Sequence, residues 1–567
     1  MANGFGSLYI GSSGLRNAQY ALNTTANNLA NVDTTGYVRE QVRFADKHYN
    51  LLRQPSQNVN MQQYGLGVSI GDVAHVRDTF LDKAYRQESG RKEFYSVRYE
   101  TVDYVQDLMQ ELHGEEFKQS VNDLWQSFQE ISTRPEVSVY QNLVLEKADL
   151  LISRAESLYS DFQSYQSNID DQIKDDVERV NEIGERIYEI NLQVQAVESG
   201  GVETAMTLRD ERDRLLDELG QYGTINVKED ATGFVYVDFE NTRFVDDNRC
   251  YTIDLKKDPD TGFSTPYWTH LSDTKNGQYV PVFDTEGVIS TDMNTDVGGI
   301  KSKLIARGNG YGRYEDLESA DAYDEISGCT MMEIEAQIDA LFFRIVKSMN
   351  DIYCPNVESE TSFVGEDGTV YPQGTLILDT ENCARGIDGA LPPRELFVRG
   401  GMDRYTEVQG TDGKTYYVYN EEDPETDGSR YAVGNIHIND DFRRQITLMP
   451  AYKANGDVDY DLGAKLAAAW EVSGMTLNPY DQKPCTFEEY YDKIVSELGT
   501  EGSTYQAATE TLENSVASYD NQRQQVMGVS SDEELTHMIK FQSAYNASSR
   551  FMTVISQMTE LIVTGLI

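Results

Sequence analysis

The sequence predicts a multidomain protein of mixed α and β class, with coiled-coil helices at its two ends, a long helical-bundle domain and two β-rich inserted outer domains. Its 567 residues are enough for three or four domains at roughly 100 to 200 residues each. Apolar residues near both ends recur with alternating steps of three and four. Two blocks of alternating residues with Gly, Asn and Asp turns interrupt the helical pattern between those ends.

These changes of pattern set the expected domain boundaries. Because helical pattern occupies both ends and much of the middle, the β-rich blocks are interpreted as insertions and the two ends are expected to come back together. The expected division is a terminal coiled-coil (inner) domain of residues 1–50 plus 527–567, a long-helix domain of residues 51–224 plus 298–354 plus 481–526, a β-rich inserted domain of residues 225–297, and a β-rich outer inserted domain of residues 355–480.

The first helix is expected to be one half of a coiled coil. No charged residue occurs from Asn17 to Val32, yet this stretch is too rich in Asn and Thr to span a membrane. One face carries small or apolar residues at coiled-coil spacing. This N-terminal seam comprises Leu8, Gly11, Leu15, Ala18, Leu22, Thr25, Leu29 and Val32.

The last helix repeats the pattern. Ser531 or Asp532 is a suitable N-cap, and Glu533 and Glu534 place negative charge in the first turn, where the helix dipole favours it. The C-terminal seam comprises Leu535, Met538, Phe541, Tyr545, Ser548, Met552, Ile555, Thr559 and Ile562.

The longest predicted element is a helix from about Ser138 to Glu198, because one apolar stripe runs through it from Leu151 to Val197. At 1.5 Å per residue such a helix is on the order of 90 Å long. Gly200 and Gly201 follow it, and a returning helix is expected to pack against it. The other expected helical regions are residues 72–112, 117–131, 208–219, 332–350, 487–498 and 504 to the end.

Charge excludes two classes of partner. The chain carries 48 basic and 95 acidic residues, a formal net charge of −47, so it repels nucleic-acid phosphates and anionic membrane surfaces. The first 50 residues and the last 37 are close to neutral, and the acidic load lies between them. The acidic middle of the chain is therefore expected to be exposed to solvent, whereas the nearly neutral ends can be buried against other helices.

Catalytic, cofactor and metal sites are not indicated. The six histidines have no metal-ligand spacing, and the five cysteines form no CxxC pair. Gly308, Gly310 and Gly312 follow a strand-like stretch, but their spacing is wrong for a dinucleotide loop. A calcium loop that started at Asp457 would place Leu462 at its glycine position. We therefore expect no catalytic residue, cofactor or metal.

Targeting signals are also missing from the pattern. No run approaches the ~18 to 20 apolar residues of a membrane helix. The first 15 residues lack the basic start and apolar stretch of a cleavable secretory signal. By these rules alone the chain is expected to be cytoplasmic.

The two seams are too weak to fold as an isolated hairpin. Six large apolar side chains of the C-terminal seam contribute roughly 10 to 15 kcal/mol in total when buried, whereas ordering roughly 35 residues costs about 1.5 kcal/mol for each residue. The uncharged polar faces need further helices with matching hydrogen-bonding groups. We hypothesise that the ends are unstructured in a lone chain and fold when many copies pack together.

Specific motifs at both ends match a known family. Residues 27–37, with the sequence Asn-Asn-Leu-Ala-Asn-Val-Asp-Thr-Thr-Gly-Tyr, and the block from Glu534 to Arg550 resemble the signatures of the bacterial flagellar rod, hook and hook-associated axial superfamily. Residues 209–219, Arg-Asp-Glu-Arg-Asp-Arg-Leu-Leu-Asp-Glu-Leu, after a very long helix, resemble the hook-associated protein 1 family of the hook–filament junction. The motif residues at the N-terminal end are Asn27, Asn28, Asn31, Thr35, Gly36 and Tyr37.

The resemblance implies a structural subunit of the bacterial flagellum without enzymatic activity. It implies export through the flagellar type III apparatus without a cleaved signal peptide, which replaces the cytoplasmic expectation with an extracellular one. The implied partners are further copies in a ring, the hook protein, the second hook–filament junction protein and a cytoplasmic export chaperone that covers the C-terminal seam. No nucleic acid or membrane is among them.

Two alternatives stay open. The chain could be another axial subunit, such as the hook protein or the second junction protein, although the long helix over 138–198 argues against a hook protein. An enzyme carried in the outer insert is the other alternative.

Overall fold

The computed structural model describes residues 2–34, 36–47, 50–52, 62–109, 117–200, 204–423, 426 and 428–565. It has the expected mixed α and β architecture, in which β-rich segments interrupt a frame of long helices. The chain begins with helix α1 (Ala2–Ala30) and ends with helix α12 (Ser531–Gly565).

The two ends form one structural unit. α1 and α12 pack along each other. Strand β1 (Glu40–Asp46) pairs antiparallel with β4 (Val68–His75), and this ribbon lies against α1; β2 (Asn50–Leu52) pairs with β3 (Gln62–Tyr64). The Asn17 side-chain amide donates to the carbonyl of Val68 at 2.6 Å, which ties ribbon to helix. We call α1, β1, β4 and α12 the terminal unit.

Long helices form the body of the molecule. The helices are α2 (Thr79–Met109), α3 (Phe117–Thr133), α4 (Ser138–Glu198), α5 (Met206–Tyr222), α6 (Gly299–Arg307), α7 (Ala320–Ile326), α8 (Thr330–Tyr353) and α11 (Phe487–Met527). Helix α2 packs against α11, α3 packs against α4, and α5 packs against both α2 and α4.

Helix α4 confirms the prediction of a 61-residue rod. Its stripe is buried from Leu151 to Val194, against α3, α5, α6, α8 and the first insert, whereas Val197 in the last turn is 41% exposed. A helix of this length is stable because nearly every turn contributes an apolar side chain to a neighbour.

The first insert is a small antiparallel structure on the side of α4. Strands β5 (Ile225–Glu229), β6 (Val235–Phe239) and β7 (Thr242–Val245) form one sheet, and β8 (Ile253–Lys257) pairs with β9 (Ser264–Trp268). Alternate residues of β6 are buried, as its sequence alternation predicts. The Asn191 amide of α4 donates to the carbonyl of Val235 at 2.8 Å.

The second insert holds short strands around a core shared with α8. The elements of this insert are β10 (Asn356–Glu358), β11 (Phe363–Val364), β12 (Val370–Tyr371), β13 (Leu376–Leu378), β14 (Phe397–Arg399), β15 (Tyr405–Gln409), β16 (Thr415–Tyr419), β17 (Ile436–Ile438), α9 (Asp440–Arg444) and α10 (Tyr460–Ala468). One four-stranded sheet has the order β10-β13-β16-β15, and two further pairs are β11 with β12 and β14 with β17.

Three expectations about local structure are wrong. The helix expected from residue 72 begins at Thr79, because β4 occupies residues 68–75 and the Asp78 carboxylate caps the helix by accepting from the amide of Phe80. The strand-like stretch 303–306 is helical, since it lies in α6. The two helices expected over 487–498 and from 504 onward are one continuous α11, which ends at Met527 before α12 begins.

Candidate assembly surface at the chain ends

The predicted seams face each other in the α1–α12 pair. A methyl group placed on Gly11 would lie 2.7 Å from the Met552 sulfur, and one on Gly14 would lie 2.8 Å from the Ser548 hydroxyl, so small residues let the two helices approach closely. Gly11, Ala18 and Thr25 are buried. The half-buried members are Leu8, Leu15, Leu22, Leu29, Met538, Phe541, Tyr545, Ser548, Met552, Ile555 and Thr559.

Three predicted seam residues lie outside this contact. Val32 is 37% exposed because it lies in the turn beyond the end of α1. Leu535 is 46% exposed in the first turns of α12, and Ile562 is 54% exposed near its end. Periodicity extends to these positions, but the partner helix does not cover them.

A second apolar stripe on α12 faces away from α1. Its members are between 41% and 76% exposed. Four of them, from Phe551 to Leu561, are spaced by three or four residues and share a face, and Leu535 and Ile539 lie four residues apart in the first turns of the helix. This outer stripe consists of Leu535, Ile539, Phe551, Val554, Met558 and Leu561. The sequence-based prediction gave α12 a single stripe and missed this one, although the same 3,4 spacing is visible in it.

The Asn-rich motif builds the turn that follows α1. The Asn28 side chain bonds both backbone groups of Glu40, donating to its carbonyl at 2.9 Å and accepting from its amide at 3.1 Å. The hydroxyl of Tyr37 donates to the same Asn28 oxygen at 2.8 Å, and the Asn27 amide donates to that hydroxyl at 3.3 Å. Asn28 is 1% exposed, so this buried side chain satisfies the backbone amide and carbonyl of Glu40 much as a neighbouring strand would.

The remaining motif residues shape the same turn. The Asn31 amide donates to the backbone carbonyl of Asn27 at 3.0 Å and to its side-chain oxygen at 3.1 Å. Gly36 has a φ of +80°, which a residue with a Cβ adopts only with strain. Thr35 lies outside the described residues. The motif therefore turns the chain from α1 into β1.

Acidic side chains surround the far end of this turn. Burial, with Glu40, Asp210 and Glu534 nearby, raises the pKa of Tyr37 well above its usual value. Burial raises the pKa of Asp210, in α5, to about 7, and the amide of Val38 donates to its carboxylate at 3.4 Å. A carboxyl that burial favours in its neutral form is thus held where the terminal unit meets the body.

Arg39 joins the turn to α12. Its Nε donates to the Glu534 carboxylate at 2.8 Å and its Nη1 donates to Glu533 at 2.9 Å. The Glu534 side chain is 2% exposed, whereas that of Glu533 is 62% exposed. The pair to Glu534 therefore joins a buried carboxylate to an arginine side chain that is 17% exposed, between residues at opposite ends of the sequence.

The acidic and basic motif of α5 is an ion-pair hub. Asp213 pairs with Arg77, and Asp217 accepts from Arg86 and from Arg523, each at 2.6 Å. Arg523 also pairs with Asp82 at 2.9 Å. The hub thereby connects α5 to the start of α2 and the end of α11. In the sequence this motif was informative only through its resemblance, and these partners were not predicted.

Among the described residues, no three His, Cys, Asp or Glu side chains are grouped so that they could hold a metal ion. None of the described helices combines the length and the apolar character that crossing a bilayer requires. The five cysteines are free thiols.

Comparison with known proteins gives matches to flagellar families. A model described as the flagellar hook-associated protein FlgK helical domain matches residues 102–295. Models described as flagella basal body rod protein and flagellar basal body rod FlgEFG protein C-terminal match residues 8–37 and 522–564, which contain most of the two seams.

Full-length relatives agree with these models. Flagellar hook-associated protein 1 of Bacillus subtilis is 23% identical, over 97% of this chain and 96% of that protein. The protein of the same name from Escherichia coli is 22% identical, over 95% and 96%. A structure of the flagellar hook junction protein FlgK from Burkholderia pseudomallei has a TM-score of 0.48 at 14% identity, and covers 79% of this chain and all of that one. With a matching helical domain, matching ends and relatives aligned over nearly their whole length, the chain is similar to flagellar hook-associated protein 1 along almost all of its sequence.

Proposed function

We propose that the chain is a structural subunit of the bacterial flagellum that forms the junction between hook and filament and assembles through its paired N- and C-terminal helices. The observation that carries this is the α1–α12 pair, which half-buries one apolar stripe of α12 and leaves the outer stripe exposed. The segments of this pair are the ones that match rod-protein families.

Copies of the same chain are the proposed partners of the outer stripe. Burying its six side chains is worth on the order of 10 kcal/mol per subunit, which favours association between copies. The acidic middle of the chain repels its neighbours and stays hydrated, so contact is directed to the nearly neutral ends. In a closed ring every copy makes the same contacts with its neighbours, so the outer stripe of every copy can be covered.

Hook and second junction proteins are the proposed neighbours along the axis. Short stretches of this chain are similar to axial proteins: 35% identity over 91 residues to the rod protein FlgG of Bacillus subtilis, and 37% over 73 residues to the hook protein FlgE of Treponema pallidum. Subunits that share end sequences can continue one helical packing into the next, which supports axial contacts of this kind.

An export chaperone is the proposed partner before assembly. The outer stripe would promote aggregation of a free chain because it exposes Ile539, Val554 and Leu561 by 51% to 76%. A chaperone with an apolar groove that covers this face of α12 would prevent it. Secretion without a cleaved signal peptide, to the extracellular flagellum, completes the proposed route.

A structural role without catalysis is supported by the use of the buried acids. The pKa of Glu335 is raised to about 8 by burial, and that of Asp339 to about 7 by the same cause. Their carboxylates accept from backbone amides, of Gly312 at 2.8 Å and of Val433 at 2.8 Å. These acids hold neighbouring segments on α8, which accounts for their burial.

Location on intact flagella tests the junction assignment. Antibody against residues 355–450 is expected to label a single band where the curved hook meets the filament. Labelling along either segment would contradict the assignment.

A pair of α12 variants tests the assembly surface. Val554→Asp places a charge in the outer stripe, and Gln542→Asp places the same charge on an exposed position of α12 that lies between the two apolar stripes. The first is expected to be absent from isolated hooks and the second present, as measured by immunoblot. Equal incorporation of both would contradict a role of the outer stripe.

A further inference from the structure

Two short segments connect the terminal unit to the body. Residues 76–78 lie between the end of β4 and the start of α2, and residues 528–530 lie between α11 and α12. A cavity of about 1440 Å³ separates much of the two parts, with Tyr20 and Val73 of the terminal unit on one side and Met206 and Leu216 of α5 on the other. Because side chains do not fill this cavity, the bonds at its edge contribute to how the terminal unit is oriented.

The backbone of Arg39 bonds to both connections. Its amide donates to the carbonyl of Met527, the last residue of α11, at 2.9 Å. Its carbonyl accepts from the amide of Val76 at 3.2 Å. One residue therefore bridges the two places where the chain passes between terminal unit and body.

The side chain of Arg39 extends this bridge to α12. The bonds to Glu533 and Glu534 engage the first turn of that helix, a few residues after Gly528. A Cβ on Gly528 would lie 2.3 Å from the carbonyl oxygen of Gln524, so the chain leaves α11 in a tight turn directly before the ion pair. The guanidinium therefore holds the first turn of α12 directly after the point where the chain changes direction between α11 and α12.

Other ties between the two parts place further negative charge around Arg39. The amide of Val38 bonds to Asp210, and Glu40 and Glu534 also lie near Tyr37. Of these carboxylates, Glu534 is the one that Arg39 pairs with directly, together with Glu533 beside it.

We propose that Arg39 is a positioning residue that sets the direction of the terminal unit relative to the body. Its backbone holds the two connecting segments together, and its side chain aligns the first turn of α12 with them. The inference rests on the proposed function, because a fixed direction is required only when the terminal units of many copies pack around one axis.

The test compares charge-neutral variants in assembled flagella. Arg39→Gln alone leaves Glu534 buried without its cation, a change that itself disturbs folding. The double variant Arg39→Gln/Glu534→Gln removes both charges, so it avoids that penalty while losing the ion pair. Arg39→Lys keeps the charge, and Arg43→Gln is the matched control because it neutralises an exposed arginine on the strand that follows.

Cryo-electron microscopy of isolated hooks with attached filament stubs measures the angle between α12 and α4 in each subunit. Wild-type, Arg43→Gln and Arg39→Lys chains are expected to show one direction. The double variant is expected to be present by immunoblot but to lose the single direction, with its terminal density spread over several orientations.

Two results would overturn the inference: a double variant with the wild-type direction, or a double variant missing from hooks that contain the Arg39→Lys chain. Failure of the proposed function is distinguishable from these. If the wild-type chain is found along the rod or filament, the junction assignment fails and the same comparison of directions is made in that assembly.

Discussion

The guanidinium of Arg39 and the carboxylate of Glu534 form an ion pair across a separation of 495 residues in sequence, with 2.8 Å between Nε and Oε1. This pair lies beside the turn that the Asn-rich motif builds, so the family motif and the closure of the chain ends occur in one place. Closing a loop of this length costs entropy, and the folded body reduces that cost because it brings the two ends of the chain close together.

The buried carboxyl of Glu335 predicts a pH-dependent stability. Its pKa of about 8 lies above the usual value of 4.5, so the folded state binds this proton more tightly than the unfolded state does. Its stabilising contribution is therefore complete below about pH 4.5 and is lost as the pH rises toward 8. Glu335→Gln retains an acceptor for the Gly312 amide and cannot ionise.

We expect Glu335→Gln to unfold at the same urea concentration as the wild type near pH 4.5 and at a higher one at pH 8. Equilibrium urea denaturation followed by circular dichroism measures this. Glu358→Gln, at an exposed position, controls for the change in net charge. A difference that shrinks with rising pH would have the wrong sign and would contradict the assignment.

A glycine at a helix crossing predicts a second effect on stability. A Cβ on Gly90 of α2 would lie 2.5 Å from the Gly220 carbonyl oxygen of α5, a backbone atom that cannot move aside easily. Gly90→Ala is expected to lower the free energy of unfolding by about 1 to 3 kcal/mol through overpacking.

Gly499→Ala is the matched control for this substitution. Gly499 lies inside α11, and a Cβ added there would meet no described atom within 4 Å, so alanine is expected to raise the free energy of unfolding by about 0.5 to 1 kcal/mol. Thermal denaturation compares the two variants. A Gly90→Ala chain as stable as the wild type would contradict the close approach of α2 and α5.

Periodicity predicted the elements that repeat. The bounds of α4 follow from one apolar stripe over many turns, and the seams of α1 and α12 follow from their 3,4 spacing. The alternation in β6 similarly predicted a strand. The predictions of α4 and β6 are confirmed because one face of each element packs against a neighbour, so successive turns or residue pairs repeat the same pattern. The role of the seams in assembly stays a prediction.

Partners between distant segments could not be predicted in this way. Arg39 counted only as one positive charge in the sequence, and nothing near it specifies Glu534, Met527 or Val76 as its partners. Val32, Leu535 and Ile562 continue the seam pattern, yet they are exposed because the partner helix does not cover them. Such details depend on how separately folded segments meet, which local patterns do not contain.

A buried ion pair between α4 and α6 predicts a strong effect of removing one charge. Asp170 is 3% exposed and pairs with Arg307, and its carboxylate also accepts from the amide of Ser264 at 2.8 Å and pairs with Lys174 at 2.8 Å. Although burial acts in the opposite direction, these partners lower the pKa of Asp170 below its usual value. Its contribution to stability is therefore present at neutral pH and is lost as the pH falls below about 4.

Arg307→Met is expected to lower the free energy of unfolding by about 3 to 5 kcal/mol at pH 7, because Asp170 stays buried without its arginine. Arg307→Met/Asp170→Asn is expected to recover part of this loss. Urea denaturation of both variants, of Asp170→Asn alone and of the wild type provides the measurement. Full additivity of the two substitutions would show that the residues do not interact.

The terminal unit predicts a difference between free and assembled chains. In one chain the α1–α12 contact leaves most seam residues only half-buried and the outer stripe exposed, so neighbouring copies must supply the missing contacts.

Hydrogen–deuterium exchange followed by mass spectrometry is expected to show fast exchange in residues 2–34 and 531–565 of the dilute purified chain. Peptides from α4, which is buried along one face for most of its length, serve as the internal control and are expected to exchange slowly. In isolated hooks the terminal peptides are expected to become protected as well. Slow exchange of both terminal helices in the dilute chain would show that they fold without neighbours, and would contradict assembly by completion of unfinished helices.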